Sequence, residues 1–219
     1  MAPVAGTEGG SDLFWSPDSR SLGFYADGRL QRVDVAGGLP RTLCTIADVT
    51  TADWSRDDVI LLGGIARGLM RVSAQGGTPE PVTRLDSRKE ELDHISPVFL
   101  ADGKRFLYVA RQTHLGLQAK WGSLDGKESG ELPVQSGFLQ FVPPGYLLFP
   151  REGAVFAQRL DLKSMKLAGA PWMVAGPAQG NLNQVYRFSA SGNGVLLWTP
   201  ATAPTVSELT WRGCAPFPA

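Results

Sequence analysis

Phe14-Trp-Ser-Pro-Asp-Ser-Arg-Ser-Leu-Gly-Phe-Tyr-Ala-Asp-Gly28 and Asp53-Trp-Ser-Arg-Asp-Asp-Val-Ile-Leu-Leu-Gly-Gly-Ile-Ala-Arg67 decide the fold, because they are two copies of one unit. A shift of 39 residues lays Trp15, Ser16 and Asp18 on Trp54, Ser55 and Asp57, then Leu22 on Leu61 and Leu30 on Leu69. It also lays Arg32-Val33 on Arg71-Val72, Gly37-Gly38 on Gly76-Gly77 and Pro40 on Pro79. Ten identities in a gap-free window of 26 residues mark a true internal repeat. Weaker copies follow at Phe99-Leu-Ala-Asp-Gly103, Phe141-Val-Pro-Pro-Gly145 and Phe188-Ser-Ala-Ser-Gly192. The aromatic anchors Trp15, Trp54, Phe99, Phe141 and Phe188 are 39, 45, 42 and 47 residues apart. A period near 40 to 45 belongs either to propeller blades or to paired helices of a solenoid.

Local chemistry chooses between them. Leu13-Phe14-Trp15 runs into Ser-Pro-Asp, where proline pre-sets φ and aspartate bonds nearby backbone. Ser21 to Ala26 then meets Asp27-Gly28, a strong hairpin signal. Arg29 to Val35 alternates polar with apolar residues, and Pro40 to Cys44 supplies a fourth short strand. One unit is thus a four-stranded antiparallel meander. No stretch shows 10 to 12 residues of helical periodicity free of Gly and Pro and with a cap. Leu85 to Leu92, polar and charged, reads as an exposed loop or one helical turn.

The expectation is an all-β chain, a single β-propeller domain over residues 1–219. Its units are expected at about 11–45, 50–85, 94–135, 137–176 and 184–212. That makes about five blades, four complete and one shared between the termini. The fifth unit has Val195 to Trp198 and Glu208 to Trp211 but no fourth strand. An N-terminal strand at 3–8 completes it and pairs edges otherwise open to aggregation. The alternative is a part of a larger propeller.

Composition narrows the partners. Lys plus Arg (21) balance Asp plus Glu (21), which argues against nucleic acid and anionic membrane surfaces as partners. The longest apolar-or-glycine run, Val59 to Ala66, is eight residues where a membrane span needs about 20. The first ten residues carry no basic, then apolar, export pattern. Two cysteines, Cys44 and Cys214, cannot build a structural zinc site. Cys44 is expected to pack in a strand and Cys214 near a loose end, both as thiols, with a disulfide between them as the alternative.

Phe14 to Gly28, Arg32-Val-Asp-Val-Ala-Gly-Gly38 and Ser191-Gly-Asn-Gly-Val-Leu196 resemble WD40-like (PD40) repeats of TolB-type propellers. They are most similar to the C-terminal propeller of acidobacterial-type bacterial serine/threonine kinases. The resemblance runs from about Pro3 to Trp211. It implies an extracytoplasmic sensor or interaction module that follows a kinase domain and a membrane-spanning helix. The kinase motifs themselves (glycine-rich loop, H-R-D and D-F-G) are absent from this sequence. The chain is therefore expected to bind rather than catalyse. The expected partners are a protein or a small-molecule ligand at the propeller rim or channel, and neither a metal nor a cofactor is expected. Two alternatives stand beside it: an enzyme or substrate-gating propeller of a hydrolase or peptidase, and a TolB-like periplasmic scaffold.

Site candidates are few. The recurrent Asp18, Asp57 and Asp102 read as turn residues, and the aromatic anchors as wedges between sheets. The residues one before the anchors, Phe14, Asp53, Val98, Gln140 and Arg187, sit on innermost strands, where a polar side chain reaches a central channel. His94 reads as a loop residue just ahead of the third unit's first strand, able to approach the ring axis beside Asp93. His114 reads as a solvated hairpin residue. The ligand-binding candidates are therefore Asp53, His94, Gln140 and Arg187, with no catalytic residue assigned.

Overall fold

The computed structural model describes residues 6–178, 188–191 and 195–198. The chain divides into two compact units, residues 1–131 and 132–219. The first holds three four-stranded antiparallel sheets, each a simple meander. Blade 1 is β1 (Ser11–Trp15), β2 (Ser21–Ala26), β3 (Arg29–Asp34) and β4 (Arg41–Thr45). Blade 2 is β5 (Val49–Trp54), β6 (Val59–Gly64), β7 (Met70–Ser73) and β8 (Glu80–Pro81). Blade 3 is β9 (Glu91–Phe99), β10 (Arg105–Gln112), β11 (Leu117–Ser123) and β12 (Ser129–Glu131). In the second unit, blade 4 is β13 (Gln140–Val142), β14 (Tyr146–Arg151), β15 (Ala154–Asp161) and β16 (Lys166–Ala175). A two-stranded sheet follows, β17 (Phe188–Ala190) and β18 (Leu196–Trp198). No helix among the described residues is long and apolar enough to cross a membrane.

The turns form as their residues dictate. Asp27 (φ 51°) and Gly28 (φ 73°) take the paired positive φ of a tight hairpin, a conformation a branched side chain resists. In the β1–β2 turn, Asp18 Oδ1 accepts from Ser16 Oγ (2.7 Å) and from Arg20 N (3.1 Å). Asp102 accepts from Lys104 N and Arg105 N in the same place of blade 3. These aspartates are turn residues, as their recurrence implies.

Packing between blades explains the anchors. Trp54 pairs with Ile60, and Ile60 with Val72, so the three share one face of blade 2. That face meets Phe14, Leu30, Leu43 and Cys44 of blade 1 in one buried cluster. Phe14 lies over Gly23, whose missing Cβ leaves room for the ring, and its edge meets Trp54 at 6.3 Å. Phe99 and Phe106 pack on Leu61 and Leu69 in the same way between blades 2 and 3. Trp15, expected as an equivalent wedge, is 55 % exposed. It occupies the position of Trp54, with Leu22 and Val33 on its face, but among the described residues of its unit no sheet precedes blade 1. Trp54 and Phe99 are core because a preceding blade of the same unit packs on them.

Two further differences from the sequence reading matter. The ungapped repeat conceals offsetting shifts: Trp15 pairs with Leu22 but Trp54 with Ile60, since the β5–β6 turn is one residue shorter. The polar stretch 85–92 holds the single helical turn expected as one alternative, but it also contains the start of a strand. Ser87–Lys89 forms a single 3-10 turn, and β9 then starts at the buried Glu91. His94 is therefore a strand residue, 1 % exposed, and not a loop residue ahead of the strand. Gly6–Glu8, the described part of the segment expected as an added strand, lies in a turn closed by Gly10 N on Thr7 O (3.0 Å). Cys44 is a buried free thiol, raised above its ordinary pKa by desolvation. Arg187, Glu208 to Trp211 and Cys214 lie outside the described residues.

Candidate functional site

Side chains alternate along each inner strand, so the residue before a wedge faces the following blade. In blade 1 that residue is the apolar Phe14. In blade 2 it is Asp53, whose Oδ2 accepts from Phe99 N (2.6 Å) on the neighbouring inner strand β9. Thr51, two residues back on the same face, accepts from Ser96 N (2.8 Å) through Oγ1. Within the second unit, Gln140 does the same with both ends of its amide. Its Nε2 donates to Ala190 O (2.7 Å) and its Oε1 accepts from Ala190 N (2.8 Å), tying β13 to β17. Desolvation pushes the Asp53 carboxyl up to about 6, partly offset by the Phe99 and Trp54 amides. Asp53 and Gln140 thus act as clamps from one inner strand to the next.

His94 belongs to a different network, on the face of blade 3 that meets blade 2. Its Nε2 lies 3.0 Å from Glu91 Oε2 and its Nδ1 2.7 Å from Thr83 Oγ1. Glu91 Oε2 also accepts from Asp86 N (2.8 Å), and Lys120 Nζ donates to Glu91 Oε1. Thr83 Oγ1 accepts from Leu69 N (2.7 Å). One proton arrangement satisfies every member: Leu69 N–H to Thr83, Thr83 O–H to Nδ1, and Nε2–H to the Glu91 carboxylate. Lys120 also lies 3.5 Å from Glu131, which pairs with Lys89. Tyr108 closes the ring side of His94 at 4.7 Å between centroids.

Electrostatics follow from burial and these partners. Desolvation drives His94 below its ordinary pKa, although Glu91 pulls the other way. Burial alone would raise Glu91, but Lys120, Asp86 N and His94 together hold it below the usual carboxylate value. Tyr108 is raised, by desolvation first and then by the charges of Glu91 and Glu131. Hydroxyl, imidazole and carboxylate stand in the order of an activated nucleophile. Here Lys120 neutralises the carboxylate that would otherwise stabilise an imidazolium, and Thr83 is occupied by Leu69 N. The network works as a strap from the blade 2 connection to blade 3. Neighbouring Asp93, the partner expected for His94, instead meets Arg111 bidentately across β9 and β10.

The structure thus brings His94 together with Glu91, Lys120 and Thr83, while Asp53 and Gln140 form separate clamps in their own units. Glu91, Lys120 and Thr83 escaped the sequence reading. The one available signal was Glu91 three residues before His94, hidden in a stretch whose polarity reads as loop. Among the described residues, no group of three or more His, Cys, Asp or Glu is placed to hold a metal ion. His114 is exposed at φ 57° in the β10–β11 connection, as expected of a solvated hairpin residue.

Neither a family model nor a curated protein matches this chain. Solved structures do match. A candidate TolB from Agrobacterium tumefaciens aligns with a TM-score of 0.63 at 19% identity, covering 89% of this chain and 71% of that one. A gluconolactonase from Xanthomonas campestris aligns with a TM-score of 0.59 at 13% identity, covering 87% and 68%. The extracellular domain of a candidate one-component system from B. thetaiotaomicron aligns with a TM-score of 0.57 at 12% identity, covering 86% of this chain and 26% of that one. At such identities the likeness is one of fold, and that fold is the TolB-like β-propeller built of four-stranded antiparallel blades.

Proposed function

We propose that the chain is a non-catalytic binding or sensing module, the extracytoplasmic C-terminal propeller of a receptor-like bacterial serine/threonine kinase. One observation carries the non-catalytic part. The polar side chains nominated on the inner strands are spent on the next strand: Asp53 on Phe99 N and Gln140 on Ala190, while His94 is held between Glu91 and Thr83. Such groups hold blades together and have little capacity left for a reacting substrate. The PD40-like repeats support the kinase context, and the likeness to the extracellular domain of a candidate one-component system supports the location.

The test reads the adjoining coding sequence and assays the purified chain. Expected are an upstream kinase domain with one hydrophobic span, and no turnover of ester, lactone or peptide substrates. A locus without them refutes the kinase context. Turnover that disappears in H94Q refutes the non-catalytic reading.

A second reading, an enzyme, draws on the order Thr83, His94, Glu91 and on the gluconolactonase likeness. The same H94Q assay decides between the two. A TolB-like scaffold shares the binding role and differs only in the absence of a kinase partner domain.

A further inference from the structure

Among the described residues, three buried side-chain polar atoms lack a hydrogen-bond partner: Thr50 Oγ1 and Arg67 Nε and Nη2. They fall at one corner of blade 2. Thr50 is the extra residue of a bulge in β5, standing between the pairs Val49–Gly64 and Thr51–Gly63. Arg67 lies in the β6–β7 connection, and its guanidinium rests against Gly64, where a Cβ would come within 2.2 Å of Nη2. The backbone around it is fixed on both sides. Arg67 O accepts from His94 N (2.9 Å), and Ile65 N donates to Asp48 O (3.2 Å). Ala66 between them is held at φ 56°.

The Nε–Nη2 edge of a guanidinium is the fork that receives a carboxylate in two parallel bonds. Burying it unpaired costs free energy that no local bond returns. Turning the side chain outward breaks no hydrogen bond of Nε or Nη2 and frees both donors. Ile65, two residues earlier in the same connection, is 52 % exposed and offers an aliphatic surface there.

We propose that Arg67 is the anion-receiving residue of a binding site on the β6–β7 connection, taking a carboxylate that carries an apolar group, with Ile65 meeting the apolar part. The chemistry fits the C-terminal residue of a peptide or a free aliphatic acid. This rests on the reading of the chain as a binding module and names the ligand class.

The experiment follows the Arg67 Nε–H resonance by NMR during titration of the whole chain. The probes are hexanoate, the peptide N-acetyl-Ala-Ala-Leu with a free C-terminus, and its C-terminal amide, against wild type and R67M. Circular dichroism confirms that R67M is folded. Expected are a shift of the Nε–H signal by an acid probe and at least tenfold weaker binding of the amide. Affinity of that acid for R67M should also fall at least tenfold, as befits the loss of a charge-assisted pair. Binding of the peptide acid alone assigns a peptide terminus; binding of hexanoate alone assigns a small acid. Equal affinity for acid and amide, unchanged affinity in R67M, or no binding at millimolar probe overturns the proposal. Any of those results leaves the module reading standing, whereas substrate turnover sinks that reading without touching Arg67.

Discussion

Replacing Asp53 by Asn tests the inner-strand clamp most directly. Burial raises this carboxyl from 3.8 to about 6. A group whose folded pKa exceeds its unfolded value favours the folded state at low pH, and loses that contribution as pH rises toward the folded pKa. The wild type therefore loses stability between about pH 4 and pH 6 and stays at the lower level above. A difference of about 2 pH units corresponds to about 3 kcal/mol, an upper bound because Asp53 keeps some contact with solvent. Asn keeps a carbonyl to accept from Phe99 N but carries no charge to desolvate. D53N should thus match the wild type at pH 4 and exceed it by about 2 to 3 kcal/mol at pH 7.5, roughly 5 to 10 °C in Tm for a chain of this size. The assay is urea and thermal denaturation of both proteins from pH 4 to 8, followed by tryptophan fluorescence. If D53N is the less stable protein at pH 7.5, or if the difference does not vary with pH, the carboxylate is not a desolvated clamp and the argument fails.

Two other outcomes are expected. W54A should lose about 3 to 5 kcal/mol in denaturant titrations, because Trp54 fills the gap between blades 1 and 2, whereas W15A should lose less than about 1; equal losses would contradict the assignment of buried and uncovered wedges. His94 has a depressed folded pKa, so its contribution is present above its unfolded value near 6.5 and is lost as pH falls toward the lower folded value. H94Q should remove that acid-limb loss, and E91Q should cost about 3 to 5 kcal/mol at neutral pH by leaving Lys120 without its buried partner; an unaltered acid limb in H94Q would show that His94 is not buried in this strap.

Much of the fold was legible because a repeat multiplies weak signals. Ser21–Ala26 emerges as a strand from its flanking turns, and the Asp27-Gly28 hairpin forms from residues that tolerate positive φ without tertiary help. The site was less legible. Asp53 and Gln140 stand out as polar residues on inner strands, but whether a side chain meets a channel or a neighbouring backbone depends on the blade beside it. His94 was misplaced because polarity is a local signal, and the polar stretch 85–92 hides a strand that starts at Glu91. The charge of its buried Glu91 is neutralised by Lys120, 29 residues distant.

The sequence by itself determined what depends on neighbours along the chain: the period, the four short strands per unit, the turn aspartates and the aromatic wedges. Only the tertiary structure decided what depends on burial and on partners remote in sequence. Trp54 became core and its equivalent Trp15 did not, Asp53 was lifted to about 6, and the Arg67 fork was left unpaired. The division has one cause. Hydrogen-bonded turns and strand alternation are set within a few residues, whereas desolvation is set by whichever sheet comes to lie on top.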